Sequence, residues 1–443
     1  MGGKKKTTTA VLGGPETSLP RMARVRVRCA TPRIEDVRRA VEQEWERTGL
    51  TARVQPGQTI AIGCGSRGIN RIVPVVAAVV QALQACGARP FLFPAMGSHG
   101  AATAEGQRRV LEEYGLTEAA VGCPIKSTLE TETLGTLEDG TTVHCDRYAA
   151  EADGIVLVNR IKPHTNFHGP VESGIVKMMC IGMGKLRGAE ALHRHGFGAF
   201  DRLLPRTARF IMSRLPFLFG LGLVENACHE TALLEIIPAD RLIEREEILL
   251  GRARELMGRL LFDRLDVLVI DEIGKNISGS GFDPNISGRN SRFIPWSGPE
   301  INKIVLLDLT EESHGNAVGL GHADIITARL YDKVDLEATY TNAVTASYLD
   351  GASIPVIMNS DREAIRLAVR TVVPGCEPEA CRLVRIKNTN ELTDILVSKS
   401  LLEEVERHPD MELVSPGEPW RFDDSGRLIH PLFQASAPGA GAA

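Results

Sequence analysis

The stretch Thr59–Asn70, TIAIGCGSRGIN, decides the fold. An apolar run with strand character leads into Gly63, Gly65 and Gly68, spaced G-x-G-x-x-G, and a helix-like stretch from Asn70 to Gly87 follows. A buried strand, a glycine turn and a helix in that order are the start of a parallel βα unit. The backbone N–H groups of such a turn, together with Arg67, suit an anion, either a phosphate or a carboxylate. A tight strand-to-helix turn that binds nothing has the same outline.

The same alternation continues in both directions along the chain. RPFLFPA, residues 89–95, precedes a helical pattern for which Thr103 is the expected N-cap, with Glu105 close behind. ADGIVLVNRI, residues 152–161, precedes a loop and the segment from Glu172 to Cys180. FGLGLVENACHETALLEIIP reads as two adjacent strands, and residues 239–261 as one amphipathic helix. A second series then runs through LDVLVIDEIG, INKIVLLDLT, IPVIMN and CRLVRIKNT. Short apolar strands separated by helices predict an α/β fold of two domains, each a largely parallel sheet flanked by helices, with the ligand site in the cleft between them. The expected boundaries are a disordered leader over residues 1–20, a first domain over 21–262, a second over 263–432 and a disordered tail over 433–443.

At 443 residues the chain is too long for one ordinary core. A net charge of -5 gives no footprint for nucleic acid. The longest apolar run, FIMSRLPFLFGLGLV, is interrupted by Arg214 and Pro216 and is too short for a bilayer. The leader has no apolar segment of the secretory type, and nine cysteines without a CxxC pair fit a reduced, cytoplasmic protein. The nearest pair, Cys376 and Cys381, is not zinc-ligand spacing on its own.

A dinucleotide site requires more than three glycines. An Asp or Glu roughly 20 residues further on, at the end of the next strand, should hold the ribose. Here that strand ends in Ala95 and Met96, and the turn carries a charge at Arg67. The ordinary NAD reading is therefore the weaker one. Two neighbouring loops carry imidazoles instead: AMGSHG places His99 after one strand, and IKPHTNFHG places His164 after another. In a parallel sheet the carboxyl ends of the strands share one rim, so Arg67, His99 and His164 should converge there. Each histidine alone is better explained by a structural role. Two imidazoles flanking one pocket suit a racemase, which needs an acid/base on each face of a planar intermediate. Lys177 and the HRH turn at His193 and His195 read by themselves as a solvated helix lysine and a surface turn.

Taken in order, Arg67 in the glycine turn, GSHG with His99, IKPH with His164, SGIVK with Lys177, and His193 sixteen residues beyond that lysine resemble the nickel-dependent lactate racemase family. The resemblance covers residues from about 20 to 260, and the second half more weakly. It implies two α/β domains closing over a nickel-pincer nucleotide, with Lys177 as its covalent tether and His193 as the nickel ligand. It further implies His99 and His164 as paired acid/bases, and Gly65, Ser66 and Arg67 around the anionic parts of cofactor or substrate. The reaction implied is racemisation or epimerisation of a 2-hydroxy acid by reversible hydride transfer to the cofactor. Partners would be that acid and the proteins that make and insert the cofactor.

The sequence also departs from the family. The loop from His164 to Ser173 is longer, Ile175 stands where a glycine is expected before the tethering lysine, and Gly68 rather than proline follows Arg67. In the second domain Lys275 and Arg289 are the candidates for binding the substrate carboxylate. Ser278, Asp283 and Asn285 lie beside them in a turn-rich segment whose composition fits a simple loop equally well. These differences point to a 2-hydroxy acid other than lactate. Two rival readings stay open at this level: a mononuclear metal hydrolase using His99, His164 and His193, and a non-catalytic nucleotide-binding module.

Overall fold

The first strand, β1 (Met22–Val27), alternates Ala23, Val25 and Val27 inward with Arg24 and Arg26 outward. It does not join the glycine-turn sheet that follows it in sequence. In the computed structural model, which describes residues 17–65, 68–97, 99–291, 296 and 298–429, the chain divides into two compact units. One is Ala30–Met257; the other takes the described residues up to Cys29 and from Gly258 onward. The expected first domain of 21–262 is corrected accordingly. Residues 22–27 pair antiparallel with two strands of the second unit, a contact over several hundred positions that no local pattern announces.

The first unit is built on β2 (Thr59–Cys64), β3 (Arg89–Pro94), β6 (Gly154–Arg160), β7 (Phe217–Glu225) and β8 (Thr231–Pro238), with a small hairpin of β4 (Thr131–Thr136) and β5 (Thr142–Asp146). Its strand order is β3-β2-β6-β7-β8, parallel except for the last pair. Residues 60–62 and 155–158 are solvent-free because helices cover both faces of a parallel sheet. The helix Ile72–Ala85 follows the glycine turn, and Ala104–Glu113 starts where expected, Thr103 Oγ1 accepting from the Gly106 N–H at 3.0 Å. The amphipathic helix after β8 runs Leu242–Leu256, shorter than the expected 239–261.

The second unit holds β9 (Arg264–Ile270), β10 (Glu300–Leu306), β11 (Ile325–Thr327), β12 (Val356–Met358), β13 (Leu383–Ile386), β14 (Asp394–Ser398) and β15 (Met411–Leu413). Among the described residues these form, with β1, one sheet in the order β12-β11-β10-β9-β13-β14-β1-β15. The five strands from β12 to β13 are parallel, and the last three pairings are antiparallel. The α/β class with largely parallel sheets is thus as the sequence indicates.

Of the expected leader and tail, residues 1–16 and 430–443 lie outside the described residues. Residues 17–20 are tied down, with the Trp420 indole N–H donating to the Pro20 carbonyl at 2.9 Å. No helix among the described residues is long and apolar enough to cross a membrane.

Candidate active site on the strand-end rim of the first unit

The strand order puts β2 between β3 and β6, so the His99 and His164 loops flank the glycine turn on one rim. Two strand spacings, about 10 Å, separate the strands that launch them. Ser66 and Arg67 lie outside the described residues, as does Ser98. Gly65 is described. A Cβ there would come within 2.8 Å of Met178 Cε, so the turn packs closely on the segment just after Lys177.

That segment is unusual. Lys177 ends a short helix, Ile175–Lys177, and the chain continues into a π-helical turn, Met178–Gly182, before the helix Lys185–His193. Wide turns of this kind concentrate at functional sites because they redirect a side chain without ending the helix. Here Lys177 Nζ lies 2.8 Å from His164 Nε2. The other ring nitrogen, Nδ1, accepts the Asn166 backbone N–H at 3.0 Å. A backbone N–H can only donate, so a neutral ring carries its proton on Nε2, facing the lysine. That contact is satisfied when Lys177 presents a lone pair, as an uncharged and nucleophilic amine.

His193, at the end of its helix, is half-buried against Phe197 and Phe200, with ring centroids 5.4 Å and 5.3 Å away. Burial pushes its pKa down to about 4, and the charge of a protonated Lys177 adds to the effect. The imidazole therefore stays neutral at physiological pH, the form that offers a lone pair to a metal. His164 shares the same wall: Phe167 lies 4.5 Å and Phe197 5.9 Å from it, centroid to centroid. Phe167, Phe197 and Phe200 pack on one another and bridge the two histidines.

Two residues that sequence reasoning missed hold this arrangement. Glu172 has a fully buried side chain, and its carboxylate accepts the His164 backbone N–H at 2.6 Å, the Gly169 N–H at 3.1 Å and the Arg254 guanidinium at 2.6 Å. It also meets His168 Nδ1 at 3.1 Å. Burial works to raise its pKa, but His168, the His164 N–H and Arg254 together hold it below the usual value. Glu246, wholly buried on the helix Leu242–Leu256, accepts the Val176 N–H at 3.0 Å and so caps the short helix that carries Lys177. A paired glutamate in a loop and one polar position on an amphipathic helix gave no signal of either role.

His99 lies exposed on its loop, which is fixed from behind by Gln107 Nε2 donating to the Met96 and Gly97 carbonyls at 3.1 Å and 2.9 Å. His195 leaves the site and meets Thr141 Oγ1 at 2.8 Å, a structural bond. In the second unit, Lys275 Nζ donates to the Gly279 carbonyl and to Asn342 Oδ1 at 2.7 Å and 2.6 Å. Arg289 is a clamp: it donates to Asp324 at 2.5 Å and to the Ile301 and Asn302 carbonyls at 2.7 Å and 3.0 Å. Those bonds account for Arg289 without a substrate. Asp283 caps a one-turn helix, accepting the Asn285 N–H at 2.9 Å.

Residues 15–199 match the family model described as the lactate racemase N-terminal domain. No curated protein matches the chain. Among solved structures, the lactate racemase apoprotein from Thermoanaerobacterium thermosaccharolyticum is similar over 88% of this chain and 88% of its own, at 13% identity and a TM-score of 0.44. The Streptomyces sp. SF2575 glycosyltransferase SsfS6 is similar at 9% identity over 71% of this chain and 100% of its own, with a TM-score of 0.15.

Proposed function

We propose, from a chain whose residues 15–199 are homologous to the lactate racemase N-terminal domain, that this protein is an isomerase that racemises or epimerises a 2-hydroxy acid with a nickel-pincer nucleotide held at Lys177. The observation that carries the proposal is the Lys177–His164 contact within one wall of phenyl rings that also bears His193. A group tethered through an amine and ligated by one imidazole fits these residues. The ring beside the amine turns an N–H toward it, and the His193 imidazole is kept neutral by burial. When bound, such a group supplies a hydride acceptor.

The chain's own residues do the rest. His193 offers its lone pair to the metal, and Lys177 holds the tether. His164 and His99, on loops either side of the glycine turn, each hold or return the hydroxyl proton at one face of the substrate carbon. Phe167, Phe197 and Phe200 exclude water on the His164 side, and Glu172 fixes the loop that aims His164. Arg67 is proposed for the substrate carboxylate, and Gly65 and Ser66 for backbone contacts to the cofactor. The proteins that make and insert the cofactor are the proposed partners.

Co-expression with those proteins should add the cofactor mass to the intact chain, and Lys177→Ala should abolish the addition. His99→Ala and His164→Ala should retain the adduct yet lose interconversion of chiral 2-hydroxy acids. An unmodified wild-type chain, or full turnover in either histidine variant, overturns the assignment. One consequence needs no cofactor: at neutral pH an acylating reagent should modify Lys177 ahead of the solvent-exposed lysines, as read by peptide mapping. Equal or slower labelling would mean the amine is protonated.

A further inference from the structure

Cys376 and Cys381 have no metal-site spacing in sequence, but the fold supplies what the spacing lacks. In the second unit β9 and β13 run parallel, with Val267 opposite Leu383. That register sets Asp266 beside the chain at Arg382: Asp266 N–H donates to the Arg382 carbonyl at 2.9 Å, and the Arg382 N–H returns to Asp266 Oδ2 at 2.8 Å. The turn Pro378–Ala380 then folds Cys376 back over Cys381, closed by the Cys381 N–H donating to the Pro378 carbonyl at 3.2 Å. The Cys381 carbonyl accepts Ser398 Oγ and Ser400 Oγ at 2.7 Å and 2.8 Å, which pins its end of the turn. As a result the two sulfurs and a carboxylate oxygen of Asp266 all lie within 4.8 Å of one another. Among the described residues this is the one group of three potential ligands so placed.

We propose that Asp266, Cys376 and Cys381 form a zinc site, separate from the nickel chemistry proposed for the first unit. Neighbouring ligand atoms around a tetrahedral zinc with Zn–S bonds of about 2.3 Å stand about 3.8 Å apart, so the observed spacing needs only a small contraction. Two thiolates with one carboxylate select a borderline-soft ion such as zinc over magnesium or calcium. The local cation does not take that place: the Arg382 guanidinium is turned to Glu404 and to the Arg264 carbonyl. Binding releases the thiol protons, and water completes the fourth position. Cys381 is fully buried while Cys376 and Asp266 are half-buried, so the ion would enter from the Cys376 side and clip the turn onto β9.

The full chain, reduced and stripped with chelator, should take up about one zinc per chain when given zinc alone. Asp266→Asn should weaken uptake, and Cys376→Ser/Cys381→Ser should lose it, while Lys177→Ala and His193→Ala leave it unchanged. Cobalt in place of zinc should give the intense thiolate-to-metal absorption in the wild-type chain, a readout that does not depend on how the variants fold. Equal zinc content in wild type and the double serine variant, or a cobalt spectrum without thiolate character, overturns the site. Because His193 and Lys177 are not ligands here, the outcome is independent of the cofactor proposal. It also means that metal on the purified chain counts toward the first unit only once these two cysteines have been removed.

Discussion

Lys185→Met is expected to lower the unfolding free energy by about 3–5 kcal/mol, read as an earlier midpoint in urea or guanidinium at unchanged slope. Lys185 opens the helix that ends in His193 and is 1% exposed. Its ammonium donates to the Pro94 carbonyl at 2.5 Å and to Gln107 Oε1 at 3.0 Å, and lies 3.0 Å from Asp146 Oδ2. That last contact is a buried ion pair, with side-chain exposures of 1% and 0%. Burial is the largest influence on both partners, pushing the Asp146 carboxyl up and the Lys185 ammonium down, with their mutual attraction opposing it.

Such a pair adds little net stability, yet losing one member strands the other away from water. Methionine keeps the length of the side chain and removes only the charge and its donors. Adding Asp146→Asn should recover part of the loss, because the amide oxygen can still accept the Ala149 N–H that Asp146 Oδ1 now takes at 3.2 Å. The same ammonium joins the end of β3, the Gln107 bracket behind His99 and the His193 helix. Faster amide exchange over residues 95–107 and 185–193 should accompany the single substitution. An unchanged midpoint would show that the buried pair is not what secures these elements.

Three kinds of information had different visibility in the sequence. The βα alternation, the Thr103 cap and the strand-end positions of His99 and His164 are local, and period and turn chemistry reveal them. The membership of β1 is not local: RMARVRV alternates like any half-buried strand, and only pairing with β14 and β15 assigns it to the second unit. The candidate site was legible where it rests on position along a strand end, and illegible where it rests on buried charge. Glu172, Lys185 and Glu246 look like surface residues because sequence carries no sign of the partners that neutralise or enclose them. Phe167, Phe197 and Phe200 likewise read as scattered aromatics until the loops bring them between two imidazoles. The Asp266 contribution to the cysteine pair belongs to the same class, since strand register creates it.

For Glu246 the expected result is a stability that falls as pH rises, and a Glu246→Gln variant in which that fall is largely absent. The carboxyl is 0% exposed, and burial pushes its pKa from 4.5 up to about 8 against the opposing pull of the Val176 and Ile175 N–H groups. Its Oε1 has no hydrogen-bond partner and faces Gly174, where a Cβ would stand 2.3 Å away. Glycine at that position is what makes room for the buried acid. An unfolded chain releases this proton near 4.5, whereas the folded chain keeps it to about 8. Between those values the native state binds the extra proton, so the unfolding free energy decreases with pH, with a slope approaching about 1.4 kcal/mol per pH unit for this group. The contribution is fully present below the lower value and lost as pH passes the upper one.

Glutamine keeps the shape and can still accept the Val176 N–H, so the capped helix bearing Lys177 should persist while the titration disappears. Denaturant unfolding at a series of pH values on both proteins measures the difference. Gly174→Ala should destabilise at every pH, by about 1–3 kcal/mol, because it forces the carboxyl out of its place whether or not it is protonated. If wild type and Glu246→Gln lose stability in parallel from mildly acidic to mildly alkaline pH, the acid under the Lys177 helix is not the group that titrates, and its carboxyl must reach water by a route the packing does not contain.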